Sequence, residues 1–411
     1  MEDFLKKAKE SSSVLSILSG EVKNKVLLDM ADALESNSDI IEVENGLDMR
    51  SGEANDLSSA LMDRLFLDKS RIDAMATAIR EIAALKEPTG RTLEGWKTQT
   101  NLNIQKVTVP IGVVGIIYES RPNVTSDTAA LCFKSGNVCI LKGGKEAQNS
   151  NTIIAEILQK VLVKNNLPEN LISLIPDNTR EGVANLIKQD KYLDLIIPRG
   201  GAGLIKYIST NSSVPVIKHD KGLCHTYIHE KADFKKAVDV TINAKCRRAG
   251  ICGAMETMLI DESIANELLP TLKQEFDKHS TLLKGCAKTQ KIIDVELATD
   301  EDFDTEYLDN ILSIKVVKNI DEAIAHIRKY SSSHSDAIIT ENYTEAEKFL
   351  NSIDSACVYL NTSTQFTDGG EFGFGAEVGI STNKLHARGP MGVEGLTTYK
   401  FKIYSDGQTR K

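Results

Sequence analysis

No apolar run in these 411 residues reaches the roughly 18 that a membrane-spanning helix needs. The start, Met1-Glu2-Asp3-Phe4-Leu5-Lys6-Lys7, lacks the apolar core of a secretory signal and reads as an amphipathic helix. No Cys-x-x-Cys pair and no tight Cys/His cluster occurs, so no structural zinc or other metal site is expected. The seven cysteines, at 132, 139, 224, 246, 252, 286 and 357, are odd in number and widely scattered. Reduced thiols in a cytoplasmic compartment are the expectation. There is no basic excess either. Lys and Arg total 49 against 58 Asp and Glu, a net charge of −9, and the cations are dispersed. That argues against nucleic acid as the main partner and leaves room for a local basic cleft that takes anionic small molecules. Internal repeats, low-complexity tracts, a G-x-G-x-x-G fingerprint and a Walker loop are all missing.

What is present is an ordinary globular composition, 41% hydrophobic and 26% charged, in a chain long enough for two or three domains. Residues 1–86 read as mostly helical. Ala76, Ile79, Ile82 and Ala83 recur at helical spacing in Asp73–Leu85, and Glu87-Pro88-Thr89-Gly90 ends that run. Residues 91–108 are polar and alternating, which predicts a hairpin or arm. From Val109 short apolar runs alternate with amphipathic stretches. Strands are expected at 113–118, 138–141, 171–175, 193–197 and 214–217, with helices at 126–134, 152–163, 180–189 and 203–209 between them. This is the pattern of a doubly wound parallel sheet. A second α/β block follows. It has strands at 224–228, 255–260, 311–317, 336–339 and 357–360, a helix capped by Asp233, one from Asp321, and one at 345–353 for which Thr344 and Glu347 suggest a capping box. The last 45 or so residues are glycine-rich and then extended at 397–404. A cleft between the two blocks is the expected place for an active site.

The segment Asn243-Ala-Lys-Cys-Arg-Arg-Ala-Gly-Ile-Cys252-Gly-Ala-Met-Glu256-Thr is the most informative. It sets Cys252 in a small-residue turn between helix and strand, with Arg247 and Arg248 a few residues upstream. Nearby cations or aligned N–H groups favour a thiolate, and Gly250 and Gly253 leave space for a substrate. A buried structural thiol fits the same segment. Two strand-to-helix turns, Leu141-Lys-Gly-Gly-Lys145 and Ile197-Pro-Arg-Gly-Gly-Ala-Gly203, can hold phosphate on backbone N–H groups and a helix N-terminus. Each alone is equally a plain tight turn. Together, at the carboxyl ends of neighbouring strands, they favour a nucleotide, and Lys142 and Lys145 suit the extra phosphate of NADP.

Several segments resemble the γ-glutamyl phosphate reductase (glutamate-5-semialdehyde dehydrogenase) family of the aldehyde dehydrogenase superfamily. They are Val109-Pro-Ile-Gly-Val-Val-Gly-Ile-Ile-Tyr-Glu-Ser-Arg-Pro-Asn-Val-Thr125, Leu141-Lys-Gly-Gly-Lys-Glu-Ala147, Ile196-Ile-Pro-Arg-Gly-Gly201, Val214-Pro-Val-Ile217, Gly222-Leu-Cys-His225, and Cys252 with Ala254-Met-Glu-Thr257. The stretch Gly369-Gly-Glu-Phe-Gly-Phe-Gly-Ala-Glu-Val-Gly-Ile-Ser-Thr-Asn-Lys-Leu-His-Ala-Arg-Gly-Pro-Met-Gly392 is the most specific of them. The resemblance runs over essentially the whole chain. It implies an aldehyde dehydrogenase-like α/β fold, with a Rossmann-type NADP-binding domain at 1–90 and 109–223 and a catalytic domain at 224–362. It further implies a β oligomerisation arm at 91–108 and 385–411, and a glycine-rich return segment at 363–384. The implied reaction converts L-glutamyl 5-phosphate and NADPH to L-glutamate 5-semialdehyde, phosphate and NADP, the second step of proline biosynthesis from glutamate. By position Cys252 matches the nucleophile, Lys142 the lysine on the adenosine ribose, Asn123 the oxyanion-hole asparagine, and Glu306 the glutamate of the nicotinamide ribose. Gly200 and Gly201 belong to the second cofactor turn.

The substrate carries an α-ammonium, an α-carboxylate and a phosphate, so its recognition needs charges of both signs. Glu119 and Arg121 fit its amino-acid end and fit an exposed surface pair equally well. His386 and Arg388 fit an anion or an intersubunit contact. His219 and His225 flank the crossing between blocks, where a structural histidine is the simpler reading and a proton shuttle the alternative. Cys246, where the family commonly has another residue, is read as packing against its helix. Asp194 is read as a turn residue, and Lys6, Lys7, Arg410 and Lys411 as solvated charge. Hydrolytic relatives carry a water-activating glutamate where this chain reads Lys218-His-Asp-Lys-Gly222. Its absence favours a reductase over an aldehyde-oxidising rival, and retention of the thiol and both cofactor turns argues against a non-catalytic scaffold. A homodimer or homotetramer is implied. No kinase segment lies in the sequence, so a separate glutamate 5-kinase, in at most transient contact, is expected to supply the acyl phosphate.

Overall fold

The structure is a computed structural model that describes residues 1–218 and 221–410, apart from the side chain of Ala60. The chain separates into two compact units, one of residues 1–218, 373–379 and 391–411, the other of 219–372 and 380–390. The C-terminal segments are thus divided between them.

The first unit opens with five helices, Glu2–Leu15, Gly20–Ser36, Ser38–Ala54, Ser59–Leu65 and Lys69–Ala84. The last begins where Asp68 accepts the Arg71 N–H, and it buries Ile72, Met75, Ala76, Ile79, Ile82 and Ala83 along one stripe. The arm is a three-stranded antiparallel sheet in the order β1 (Thr92–Lys97), β2 (Asn103–Pro110), β16 (Thr397–Tyr404). β16 runs the full length of β2, from Thr397 opposite Pro110 to Tyr404 opposite Asn103.

The sheet of this unit is parallel, in the order β5-β4-β3-β6, with β3 Val113–Tyr118, β4 Val138–Lys142, β5 Ile172–Leu174 and β6 Leu195–Arg199. Every residue of β3 and β4 is buried, as in a sheet covered by crossover helices on both faces. Two expectations change here. Val214–Ile217 forms no strand; Val216 makes one isolated bridge to Ile196, because Pro215 cannot continue a hydrogen-bond ladder. Asp194 is more than a turn residue. Its carboxylate accepts the Val113 N–H at 2.8 Å and pairs with Lys9, tying the first helix to the start of β3.

The second unit is built on a seven-stranded parallel sheet, β10-β9-β11-β8-β7-β12-β13. In chain order these are β7 Cys224–Ile228, β8 Met255–Asp261, β9 Leu282–Gly285, β10 Glu296–Leu297, β11 Ile311–Val317, β12 Ser335–Ile339 and β13 Cys357–Leu360. The small hairpin β14 (Ile380–Ser381) and β15 (Gly389–Pro390) also belongs to this unit. Between β8 and β11, a stretch unassigned from pattern, lies the helix Glu262–Lys278, with Ile264, Ala265, Leu268, Leu269, Leu272 and Phe276 buried against the sheet. Asp233 caps the helix Phe234–Cys246 as expected. The cap at 343–352 is Asn342 rather than Thr344: the Asn342 side chain accepts the Glu345 N–H and the helix starts two residues earlier than the capping-box reading. The helix expected from Asp321 runs Ile320–Tyr330, one residue earlier, and is capped by Asn319.

Because strands β11, β8 and β7 are adjacent and parallel, the loops that enter them emerge side by side at one sheet edge. Those loops carry Glu306, Cys252 and Gly222.

Phe276 is fully buried in the larger core of this unit. Phe276→Ala should lower stability by about 3–5 kcal/mol, read from the urea midpoint. A change within half a kcal/mol would show that the helix does not depend on this core contact.

Candidate active site

Cys252 is half-buried in the turn between the helix Phe234–Cys246 and β8. The turn is held from several sides. Ala254 donates its N–H to Ile251 O, Thr364 Oγ1 donates to Gly253 O at 2.7 Å, and Gln365 donates to Ala244 O at 2.8 Å. The Cys224 thiol donates to Cys252 O at 3.2 Å. Burial keeps that thiol protonated, well above the ordinary thiol range, so it serves as a neutral donor beneath the turn. Arg247, one of the two upstream cations, is exposed and donates from Nε to Gln365 Oε1 at 3.2 Å.

Gly222 lies against the backbone of Cys252. A Cβ at that position would stand 2.5 Å from Cys252 Cα and closer still to its carbonyl oxygen. Only glycine allows this approach. The Gly222 N–H in turn donates to Glu306 Oε1 at 2.7 Å. Burial raises the Glu306 carboxyl above its ordinary range, against the pull of that hydrogen bond. Gly222, Cys252 and Glu306 therefore form one group.

Below them, Lys245 and Glu256 make an ion pair at 2.7 Å with both side chains essentially inaccessible. Burial pushes the Glu256 carboxyl up to about 7, Lys245 holding it down and Glu306 adding to the rise. The other Glu256 oxygen accepts the Leu308 N–H at 3.3 Å.

In the first unit the two glycine-rich turns follow β4 and β6. Lys142 ends β4 with 2% exposure, and the acceptor for its Nζ is its neighbour's carbonyl, Gly143 O, at 3.3 Å. Desolvation lowers its pKa. Glu146 Oε2 is buried without a hydrogen-bond partner among the described residues. A cationic donor and a carboxylate acceptor held this way, close enough for Glu146 to act electrostatically on Lys142, fit the vicinal hydroxyls of a ribose. At the second turn, the Gly201 N–H heads the helix Ala202–Asn211 and donates to Glu119 Oε2 at 2.7 Å. A Cβ on Gly200 would stand 2.6 Å from the same oxygen. The Glu119 carboxylate thus rests where an anion would meet the N-terminus of that helix.

Asn123 opens the helix Asn123–Lys134, which starts three residues earlier than the pattern suggests, and its amide donates to Asp127 Oδ2 at 2.9 Å. Burial raises the Asp127 carboxyl to about 6. Arg121 is exposed at the turn after β3. Arg388 is held by Asp354, from Nη1 to Oδ1 at 2.8 Å and from Nη2 to the carbonyl at 2.6 Å. His386 is exposed at φ 66° between β14 and β15. His225 is fully buried and bonded to Asp336 at 3.0 Å, a structural histidine. His219 and Lys411 lie outside the described residues. Cys246 is half-buried against the core, with Thr281 Oγ1 3.4 Å from its sulfur. The residues missed from sequence are Lys245, Glu256, Gly222 and Cys224. Glu256 stands as a lone charge in the largely apolar run Ala254–Ile260, which is the available signal, whereas Lys245 lies beside Arg247 and Arg248 and gives none.

The profile of the aldehyde dehydrogenase family matches residues 1–292. A gamma-glutamyl phosphate reductase of Sulfurimonas denitrificans is 67% identical over 411 residues, with 100% of each chain covered. The crystal structure of a gamma-glutamyl phosphate reductase from Thermotoga maritima superposes with a TM-score of 0.98 at 46% identity, covering 100% of this chain and 99% of that one. An acetylating aldehyde dehydrogenase from Geobacillus thermoglucosidasius shares the fold, with a TM-score of 0.70 at 19% identity over 100% and 97% of the two chains.

Gly222→Ala should destabilise by about 1–3 kcal/mol through overpacking and change the rate at which iodoacetamide labels Cys252. Gly203, in the first turn of the helix Ala202–Asn211 with nothing within 4 Å of a built Cβ, is the control, and Gly203→Ala should raise stability by up to about 1 kcal/mol and leave labelling unchanged. Equal behaviour of the two variants would refute the close approach.

Proposed function

The chain belongs to the aldehyde dehydrogenase family and, within it, to the gamma-glutamyl phosphate reductases, and we propose from this how its residues reduce L-glutamyl 5-phosphate to L-glutamate 5-semialdehyde. The reduction uses NADPH, releases phosphate and forms the second step of proline biosynthesis from glutamate. The observation that carries the reading is Cys252, half-buried in a turn fixed by Gly222 and Thr364, with the Glu306 carboxylate joined to the same group.

The Cys252 thiolate attacks the acyl-phosphate carbonyl carbon. The carbon–oxygen bond to phosphate breaks, and phosphate leaves and takes up a proton from water. The oxyanion that develops is met by the Cys252 backbone N–H and the Asn123 side-chain amide, the latter released from Asp127. Loss of one such donor costs roughly 10²–10³ in rate. NADPH, when bound, supplies the hydride that reduces the thioester carbon. Collapse of the thiohemiacetal breaks the carbon–sulfur bond and returns the thiolate with the aldehyde. A carboxylate free to activate water would waste the thioester. The two carboxylates joined to the Cys252 group are engaged elsewhere, Glu256 by Lys245 and Leu308 and Glu306 by Gly222.

Lys142 and Glu146 are assigned to the adenosine ribose, with Lys142 and the exposed Lys145 favouring the 2′-phosphate of NADP. Gly200 and Gly201 take the pyrophosphate once Glu119 has turned away. Glu306 takes the nicotinamide ribose. Glu119 and Arg121 are then available to the amino-acid end of the substrate, and His386 and Arg388 to an anion or a neighbouring subunit. The arm exposes Trp96, Tyr399, Phe401 and Ile403, an apolar surface suited to a homodimer or homotetramer. No helix among the described residues is long and apolar enough to cross a membrane, and the setting proposed is cytoplasmic, with glutamate 5-kinase as a transient supplier of substrate.

The test runs the reaction backwards. Glutamate semialdehyde and NADP should give NADPH only when phosphate or arsenate is present, and Cys252→Ala should lose turnover by at least three orders of magnitude. Equal oxidation without the anion would sink the acyl-phosphate route. Wild-type turnover in Cys252→Ala would sink the nucleophile.

A further inference from the structure

Lys245 and Glu256 have no part in the chemistry above, yet they are charged and closed off from water beneath the reacting thiol. An ion pair in this position is not explained by stability. Its desolvation cost rivals its attraction, and an apolar pair of similar volume commonly holds a fold as well. Its location is informative. Lys245 lies in the last turn of the helix Phe234–Cys246, and Glu256 is the second residue of β8. Their bond therefore closes the base of the turn that carries Cys252.

Glu256 also breaks the sheet. β7 and β8 pair Cys224 with Met255 and then His225 with Thr257, so Glu256 is an extra residue in the ladder. Such bulges re-aim a side chain, and they recur beside active sites. Here the re-aimed carboxylate has one oxygen on Lys245 and the other on the Leu308 N–H. Leu308 adopts φ 52°, a conformation uncommon for a side chain of its size, two residues after Glu306. Glu306 reaches Gly222, and Gly222 abuts Cys252. The contacts form a closed circuit: Lys245, Glu256, the 306–308 loop, Gly222, and the Cys252 turn.

We propose that Glu256, anchored by Lys245, is a positioning residue that holds the Glu306 loop in register with the Cys252 turn, so that the nucleophile and the cofactor-binding carboxylate act at one fixed separation. This rests on the roles of Cys252 and Glu306 proposed above. The circuit lies wholly within the second unit, and it gives the pair a reason to be ionic. One carboxylate satisfies two donors at once, one from a helix end and one from a loop, which no apolar residue of the same volume does.

The experiment uses Lys245→Met/Glu256→Leu in the full-length chain, which removes both charges without leaving one buried alone. Three quantities are measured: the iodoacetamide labelling rate of Cys252, the equilibrium affinity for NADP, and kcat with KM for the phosphate-dependent reaction. The variant should fold and show an altered labelling rate. NADP affinity and kcat should fall by about 10- to 100-fold, the size of loss that follows an ångström-scale misplacement. Glu256→Gln, with one acceptor oxygen in place of two, should show the same losses and serves if the double variant does not fold. Phe349→Ala, which weakens the same unit in a separate core cluster that holds neither Ala244 nor Met255, should lower thermal stability and leave labelling and NADP affinity unchanged. Wild-type labelling and affinity in a folded charge-free variant would overturn the proposal and leave the pair a purely structural one. Failure of the reaction itself would appear instead as absence of phosphate-dependent turnover in the unsubstituted protein, while labelling is read without turnover.

Discussion

The contact on which the site depends is the one between Gly222 and the backbone of Cys252. Two strands of a parallel sheet, β7 and β8, begin beside each other, and their entering loops touch main chain to main chain. That closeness fixes the thiol-bearing turn from one side, while Cys224 and Thr364 bind its carbonyls from beneath. The neighbouring entry, into β11, brings Glu306 to the same glycine through its N–H. The nucleophile we propose owes its position to rigid neighbours rather than to its own side chain, the arrangement that catalytic groups need.

The first unit uses its sheet in the opposite sense. Its two glycine-rich turns leave the carboxyl ends of β4 and β6, the usual place for a nucleotide in a doubly wound sheet. The second unit has its thiol at the amino ends of its strands. Covalent chemistry needs a fixed thiol, which tight strand entries supply. A dinucleotide needs N–H groups and open turns, which strand exits and helix starts supply.

Much of this was legible in the chain. Cys252 stands out through its small neighbours, and the two glycine-rich turns through glycine and lysine after apolar runs. Strand–helix alternation indicated the sheets, and the polar alternating run at 91–108 indicated the arm strands. Register was not legible. The bulge at Glu256 has no sequence signature, since it arises from pairing between strands about thirty residues apart. The approach of Gly222 to Cys252 and of Leu308 to Glu256 is tertiary in the same way. One cap lies two residues from its expected place, Asn342 for Thr344, because Asn and Thr compete for that role on nearly equal terms. Asp194 looked like a turn residue because its partner, Lys9, lies far back in the sequence.

The arm carries a consequence for synthesis. β16 leaves the ribosome roughly three hundred residues after its partner β2. The first unit also needs residues 391–411 for completion. The seven strands of the second unit are all in hand once Leu360 has emerged. The later-translated sheet is therefore able to close while the earlier one still waits with an unpaired β2 edge. An edge of that kind invites foreign strands, so the newborn chain is most exposed to misassembly in the interval before β16 arrives.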